Sequence, residues 1–303
     1  MRRIDIVGTG FTVLDRVYEG STRSFEALGG SCGNVLWSLA RLQHTVAPIL
    51  SLGADEVGRC LVEHFESVGA DTSHIAQHQN QLSPVLVQFT NTAEGTHTFS
   101  FTCPETHEKF PRYAPVRNED VAAAAPVLET CMVFYTDRVS DAIVAAMEKA
   151  AEGGSIVYFE PSSNEEPDLF NRALACSSIV KFSSDRFDRN LLMKLLDRDV
   201  IVIMTHGAEG LEVRAQSQEV WCEAIEARAV KDTSGSGDMV SVGLINNLIH
   251  EGRHRYNLPL DTVVRGAKAG QRLAAANCEF VGARGLFVHR EIDFVQNLLR
   301  TAN

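Results

Sequence analysis

The stretch that decides the fold reads Lys-Asp-Thr-Ser-Gly-Ser-Gly-Asp and spans residues 231–238. The residues that follow it, 239–249, carry apolar side chains at a helical spacing. Small, glycine-rich residues therefore lead directly into the first turn of a predicted helix. Unpaired backbone N–H groups and the positive end of the helix dipole make such a turn receptive to a phosphate or an oxyanion. The pattern predicts an anion-binding site at the start of this helix.

Asp238 lies in the first turn of the same predicted helix, beside the anion site. A carboxylate at this position is compatible with a simple capping role. It is equally placed to accept the proton of a hydroxyl that attacks a phosphate held by the amides of Gly235, Ser236 and Gly237. The local sequence therefore favours phosphoryl transfer, with helix capping as the alternative.

Outside this motif, short apolar runs alternate with helical patterns along most of the chain. Steady alternation is typical of βαβ units and of a parallel sheet covered by helices on both faces, so the predicted fold class is α/β. Strands are predicted at 4–7, 131–135, 156–159, 179–182 and 200–204. Helices are predicted at 55–68, 140–151, 168–175, 186–196 and 239–249.

Two segments break the alternation. Residues 12–28 show no helical period, and residues 85–101 alternate between apolar and polar side chains on both sides of a turn at 93–95. The second pattern predicts a β-hairpin that projects from the main sheet. Such a hairpin can serve as a lid or a dimer surface, and an ordinary edge hairpin is the alternative.

Three motifs resemble those of a known family, the PfkB sugar kinases or ribokinase-like kinases. Residues 232–238 resemble its C-terminal signature Asp-Thr-x-Gly-Ala-Gly-Asp, with Ser236 in place of the alanine. The N-terminal motif Gly-Gly-x-x-x-Asn, which opens a helix, is present at 29–34, and a nucleotide loop Thr-x-Gly-x-x-Gly is present at 205–210. The order and spacing fit from about residue 4 to residue 290, so the resemblance covers nearly the whole chain.

The resemblance implies a ribokinase-like three-layer α/β/α fold with a mostly parallel central sheet and a small β lid. It implies a single kinase domain over residues 1–303, with lid segments at roughly 12–28 and 84–110. The implied reaction transfers the γ-phosphoryl group of ATP, with Mg²⁺, to a hydroxyl of a sugar or nucleoside-like substrate. A catalytically weak or non-catalytic sugar- or nucleotide-binding member of the same fold is the alternative.

Carried over residue by residue, the resemblance also implies the site. The catalytic base and the anion hole would be formed by Asp238, Gly235, Ser236 and Gly237. Substrate would be bound by Asp15, Gly29, Gly30 and Asn34. The nucleotide would be contacted by Ser183, Arg186, Thr205, Gly207 and Gly210. A monovalent cation such as K⁺, which some relatives bind near the anion hole, would be held by Asp232 and Ser234.

Two positions depart from the family pattern. The family commonly has Asn-x-x-Glu after the strand that here ends at Phe182, whereas this chain has Ser183 and Arg186. Three outcomes stay open: Asp185 contacts Mg²⁺ instead, Arg186 contacts phosphate, or the kinase is weakened. Ser31 also replaces a lysine of the ribokinases, which argues against ribose.

The identity of the substrate is not specified by these motifs. In this fold we expect lid side chains to select the sugar. The candidates are Gln88, Thr90 and Phe99.

Two rival motifs predict other functions. Residues 8–13 begin like a dinucleotide fingerprint after a strand, which would make the chain a nicotinamide-dependent oxidoreductase, but Val13 replaces the third glycine. Residues 250–254 match His-Glu-x-x-His, a zinc-protease pattern. Gly252 lies inside the latter, at the polar end of a predicted helix, and favours a solvated helix end.

Composition restricts the partners. The chain has 303 residues and a formal net charge of −11, which disfavours nucleic acid and anionic membranes as partners. The seven cysteines are dispersed without a CxxC pair, and no apolar stretch indicates export, so we expect reduced thiols and a cytoplasmic location. A homodimer through the lid is compatible with these features.

Overall fold

The computed structural model describes residues 3–20, 22–91, 94, 96–196 and 198–300. The strands are β1 (Ile6–Thr9), β2 (Val13–Glu19), β3 (Thr22–Gly29), β4 (Val46–Pro48), β5 (Leu50–Gly53), β6 (Ile75–His78), β7 (Val85–Asn91), β8 (Thr96–Ser100), β9 (Val133–Thr136), β10 (Ile156–Phe159), β11 (Ile179–Ser183), β12 (Ile201–Thr205), β13 (Gly210–Ala215) and β14 (Gln218–Glu223). The helices are α1 (Ser31–Arg41), α2 (Glu56–Glu66), α3 (Asn118–Ala123), α4 (Ala125–Leu128), α5 (Asp141–Glu152), α6 (Pro167–Cys176), α7 (Arg189–Leu196), α8 (Ser236–His250), α9 (Leu260–Asn277), α10 (Gly285–His289) and α11 (Ile292–Arg300).

Eight strands form the central sheet, in the order β14-β13-β12-β11-β10-β9-β1-β4. The pairs from β4 to β12 are parallel, and β13 and β14 are added antiparallel at one edge. Successive side chains of a strand point to opposite faces, and both faces of this sheet are covered. Ile6 therefore packs into the core that contains α8 and α9, and Val7 into the core that contains α5 and α6. The predicted α/β class and the mostly parallel sheet are confirmed.

Most predicted boundaries lie within two residues of the observed ones, and the starts of two helices differ by three residues. Helix α7 begins at Arg189 rather than at residue 186, because residues 184–186 form a turn in which Arg186 N–H bonds to Ser183 O at 3.0 Å. Helix α8 begins at Ser236, three residues before the apolar pattern, because its first turn is made of small polar residues. The predictions missed the antiparallel edge strands β13 and β14 and the helix α9.

A second, four-stranded sheet in the order β3-β2-β7-β8 contains both segments that break the alternation. Strands β7 and β8 pair antiparallel from Val87↔Ser100 to Asn91↔Thr96, which confirms the predicted hairpin. Of the predicted turn at 93–95, residues 93 and 95 lie outside the described residues. The central strands β2 and β7 are buried on both faces, for example at Val17 and Val87, whereas Phe99 on β8 is exposed. We call this unit the small sheet.

Neither rival motif has the structure that its function requires. After residues 8–13 the chain continues into β2 instead of a helix, so the dinucleotide interpretation is wrong. Helix α8 ends at His250, and Glu251 accepts hydrogen bonds from Arg253 and Arg265. Across the described ranges, no group of three metal-ligating side chains comes together, and no helix is long and apolar enough to span a membrane.

Candidate active site

The loop before α8 is held in a conformation that only glycine adopts easily. Gly235 has φ +72°, and a Cβ there would lie 2.4 Å from the carbonyl oxygen of Ala283. The N–H of Ser236 bonds to Thr233 O at 3.2 Å. In the described structure no protein acceptor faces the N–H groups of Gly235 and Gly237. Of the three predicted anion-hole amides, Gly235 and Gly237 therefore remain open to a ligand.

Asp238 and Asn34, from two motifs far apart in sequence, meet in this site. The Asn34 side-chain amide, in the first turn of α1, donates to Asp238 Oδ2 at 2.8 Å, and both residues are buried. Burial and the negative charge of Glu160 raise the pKa of Asp238, while the Asn34 hydrogen bond and the Lys181 charge oppose the rise. A buried carboxylate with a raised pKa is suited to accept a proton near neutral pH.

Asp15 lies beside the glycines of the first motif. A Cβ at Gly29 would lie 1.8 Å from Asp15 Oδ2, and one at Gly30, which has φ +80°, would lie 2.3 Å from Phe11 O. Both positions therefore require glycine. Burial raises the pKa of Asp15 to about 7 against the opposing charge of Arg284.

Two oxygens of this region are buried without a protein partner. They are Asp15 Oδ1 and Asn34 Oδ1. A buried acceptor without a donor costs free energy, so it indicates either an ordered water or a ligand. The hydroxyl groups of a polyol would supply such donors.

A buried ion pair, which the sequence analysis missed, lies under the anion hole. Lys181 Nζ donates to Glu160 Oε1 at 2.5 Å and to the carbonyl oxygen of Gly237 at 3.0 Å. Glu160 Oε2 accepts from Ser241 Oγ at 2.7 Å and from Tyr135 Oη at 3.1 Å. The signal in the sequence is a lysine in the middle of the apolar strand β11, since charged residues are rarely buried there without a partner.

A second ion pair that the sequence did not predict, Asp137 with Arg138, follows strand β9 at the same edge of the sheet. Asp137 Oδ1 accepts from the N–H of Phe11 at 2.8 Å, and Arg138 Nη1 donates to Oδ2 at 3.0 Å. The Arg138 guanidinium lies 4.6 Å from the Phe11 ring centroid. Burial raises the pKa of Asp137 to about 6, against the Arg138 charge. Polar residues directly after a buried parallel strand were the available signal.

The predicted nucleotide residues gather at the carboxyl ends of β11 and β12. Ser183 and Thr205 are direct neighbours across these two strands. Gly207 and Gly210 have φ +58° and +132°, and a Cβ at Gly210 would lie 2.3 Å from Cys222 O, so this loop also requires glycine.

Asp185 and Arg186, the charged residues where the sequence departs from the family pattern, are exposed at the carboxyl end of β11. Asp185 and Arg186 follow Ser183 in a turn in which the Asp185 N–H donates to Ser183 Oγ at 3.2 Å. Ser183 Oγ also donates to Asp185 Oδ2 at 3.4 Å, and both charged side chains are exposed to solvent.

The predicted cation residues are close together but already bonded to protein donors. The N–H of Ser234 donates to Asp232 Oδ1 at 2.9 Å, and its hydroxyl donates to the same oxygen at 2.7 Å. The side-chain nitrogen of Gln88, which is predicted to select the sugar, lies 2.8 Å from Ser234 Oγ, 3.0 Å from Asp232 Oδ2 and 3.1 Å from Thr90 Oγ1.

Comparison with known proteins places this site in a family. A family model described as pfkB family carbohydrate kinase matches residues 9–287. Fructokinase of Vibrio alginolyticus is 24% identical over 258 residues, which cover 78% of this chain and 81% of the relative. Aminoimidazole riboside kinase of Salmonella typhimurium is 25% identical over 267 residues, which cover 82% and 81%.

Solved structures agree on the fold. The ATP-bound fructokinase of Xylella fastidiosa has a TM-score of 0.78 at 19% identity and covers 98% of each chain. Ribokinase of Arabidopsis thaliana, in complex with ribose and ATP, has a TM-score of 0.74 at 16% identity and covers 99% of this chain and 100% of that one. The three-layer ribokinase-like fold is thereby confirmed. The chain belongs to the pfkB family of carbohydrate kinases and is a sugar or nucleoside kinase.

Proposed function

We propose that the protein transfers the γ-phosphoryl group of ATP to a hydroxyl of a sugar or nucleoside, with Asp238 as the general base. The observation that carries this proposal is the buried contact between Asn34 and Asp238. It brings the residues that would bind the substrate beside a carboxylate in the first turn of α8. Substrate hydroxyl, base and phosphate can then meet at one point.

The raised pKa of Asp238 supports the role of base. A carboxylate that binds a proton more tightly than usual takes it from a hydroxyl more readily, and it is still ionised at neutral pH. The open N–H groups of Gly235 and Gly237 would hold the transferring phosphoryl group, together with the helix dipole. Lys181 would fix the position of this turn through its bond to Gly237 O.

ATP would extend from the anion hole along the carboxyl ends of β11 and β12, past Ser183, Thr205 and the loop with Gly207 and Gly210. Mg²⁺ is usually held by phosphates, waters and one or two carboxylates, and it would offset the charge of the phosphates. Glu160 is unsuited to it because both its oxygens are bonded to protein donors. The exposed Asp185 is the carboxylate that fits, and Arg186 would contact a phosphate.

The substrate would lie between α1 and the small sheet, where Asp15 and Asn34 present unpaired oxygens. Closure of the small sheet would exclude water and prevent hydrolysis of ATP. We include in the proposal that this unit is a lid of a single kinase domain, and that the lid can pair with a second copy. The free thiols at all seven cysteines suit a reducing compartment such as the cytoplasm.

The experiment is a substrate screen. Purified protein with Mg-ATP is incubated with a panel of ketoses, aldoses, deoxy sugars, sugar acids and nucleosides, and ADP formation is measured by a coupled assay. We expect ADP release above the substrate-free rate for at least one member, and a phosphorylated product by mass spectrometry. Binding of a sugar in a thermal-shift assay without any ADP would instead support the non-catalytic alternative.

A further inference from the structure

Asp232 is a buried carboxylate whose oxygens are all engaged by protein donors. The residue is 0% exposed. Oδ1 accepts two hydrogen bonds from Ser234, from its N–H and its hydroxyl. Oδ2 accepts from the side-chain amide of Gln88 at 3.0 Å and from the N–H of Gly282 at 2.8 Å. The Gln88 nitrogen, which has two hydrogens, also lies 2.8 Å from Ser234 Oγ and 3.1 Å from Thr90 Oγ1. Protein donors therefore face both oxygens of the carboxylate, which offers about four acceptor sites.

A histidine ring also lies against the same carboxylate, although its Nδ1 lacks the geometry of a hydrogen bond. Nδ1 of His97, on β8, lies 3.2 Å from Asp232 Oδ1. Burial alone would raise the pKa of Asp232, but His97 and the N–H groups of Gly282 and Ser234 lower it to about 2. The carboxylate thus stays ionised without any cation.

A second amide group occupies the neighbouring ring of carbonyl oxygens. Asn277, at the end of α9, is completely buried. Its side-chain nitrogen lies 3.3 Å from Ser234 O, 3.5 Å from Gly282 O and 3.2 Å from Ala283 O. Its oxygen accepts the N–H of Leu286 at 3.0 Å, which fixes the orientation of the amide. Three carbonyl oxygens that converge on one point resemble a cation cage, but here an N–H₂ group faces them.

A monovalent cation therefore does not fit between Asp232 and these loops. It would need the carboxylate and carbonyl lone pairs that Ser234, Gln88, Gly282 and Asn277 already use. A cation that entered would leave several buried N–H donors unpaired, each at a cost in free energy.

We propose that the side-chain amides of Asn277 and Gln88 take the place of a monovalent cation in this chain, and that they join the anion-hole loop to the loop at 282–284 without K⁺. One consequence, that phosphoryl transfer is independent of K⁺, rests on the proposed function. This replacement of the cation also gives Gln88, on β7, a positioning role: the amide ties the small sheet to the loop that precedes α8.

The test measures thermal unfolding of the full chain, so it needs no substrate. The unfolding midpoint is recorded in about 100 mM KCl and in tetramethylammonium chloride of equal concentration, a cation too large for the site. We expect the two midpoints of the wild type to agree. A wild-type midpoint that is higher in K⁺ overturns the proposal, even if no kinase substrate is ever found.

The variant Asn277→Asp is nearly isosteric and turns the central N–H₂ group into an oxygen that faces three carbonyl oxygens. We expect a lower midpoint, and a rise of about 2 °C or more in K⁺ because a cation would relieve the repulsion. The control variant Asn171→Asp, on the exposed side of α6, makes the same change of charge. Its midpoint should equal that of the wild type and should not rise in K⁺. If Asn277→Asp unfolds at the wild-type temperature, Asn277 does not have the assigned role. Once a substrate is known, wild-type kcat/KM should agree within about twofold in the two salts, and a tenfold activation by K⁺ would contradict the consequence for catalysis.

Discussion

Replacement of Lys181 by methionine should lower the stability of the folded protein and also shift the pH dependence of catalysis. Lys181 and Glu160 are both nearly buried and 2.5 Å apart, and Lys181 also donates to Gly237 O. Methionine keeps the apolar stem of the lysine but leaves Glu160 as an uncompensated buried charge. Breaking one partner of such a pair costs about 3–5 kcal/mol.

Urea unfolding monitored by tryptophan fluorescence provides the assay, since Trp37 packs edge-to-face against Phe287 in the core. With a denaturant slope of about 3 kcal/mol per M, the midpoint of Lys181→Met should fall by roughly 1 M or more. The double variant Lys181→Met/Glu160→Gln removes both charges and should recover most of this loss, because a neutral pair of similar volume avoids the unpaired charge.

The same variants make a kinetic prediction. Because the Lys181 charge lowers the pKa of Asp238, the acidic limb of the kcat/KM profile should move to higher pH in Lys181→Met. In the double variant the limb should move back, because Glu160, whose charge raises the pKa of Asp238, is also removed. A loss below about 1 kcal/mol for Lys181→Met, or a double variant as unstable as the single one, would refute the assignment of an ionised pair at this position.

Further predictions concern the backbone and the two other carboxylates of the site. Gly235→Ala should cost about 2 kcal/mol more than Gly69→Ala, as measured by urea unfolding, because both have positive φ but only the first meets a backbone oxygen. Asp15 favours the folded state below about pH 4, and this contribution is lost as the pH rises to about 7, because its folded pKa is raised. Asp15→Asn should therefore raise the thermal midpoint of the ligand-free protein more at pH 8 than at pH 4, while substrate affinity falls; equal effects at both pH values would contradict the raised pKa. Asp232→Asn should lower the free energy of unfolding by about 2 kcal/mol at pH 7 and by less at pH 3. The reason is that a carboxylate with a lowered pKa stabilises the folded state above its ordinary pKa, and this stabilisation is lost as the pH falls towards about 2. A loss that does not depend on pH would contradict the ionised carboxylate.

The sequence carried most of the fold because the motifs and the strand pattern depend on local physical requirements. Apolar runs such as residues 156–159 match strand β10 without error, since a strand buried on both faces must be apolar throughout. The glycines at 29, 30 and 235 were recognisable from their motifs, and in the structure a Cβ is excluded by the Asp15 side chain at Gly29 and by backbone oxygens at Gly30 and Gly235. The antiparallel strands β13 and β14 were missed because charged residues interrupt their apolar ones, at Glu212 and Arg214 on β13 and at Glu219 on β14.

The site was predictable only where one residue type is required at one position in the chain. Asp238 and Asn34 lie in motifs that open α8 and α1, and these two helices pack against each other. The ion pair of Lys181 with Glu160 is different, because its partners come from separate strands and only the fold brings them together. The same holds for Gln88: its amide lies against Asp232, and the sequence does not specify that direction.

The most direct test of the proposed mechanism is the rate of phosphoryl transfer by Asp238→Asn, with the substrate found in the screen and saturating Mg-ATP. Asparagine keeps the size and the contact with Asn34 but cannot accept a proton. The account predicts a fall in kcat of about 10²–10⁴-fold, while the affinity for ATP, measured by thermal shift, stays within a few-fold of the wild type. A variant that retains the wild-type kcat would contradict the assignment of Asp238 as the base.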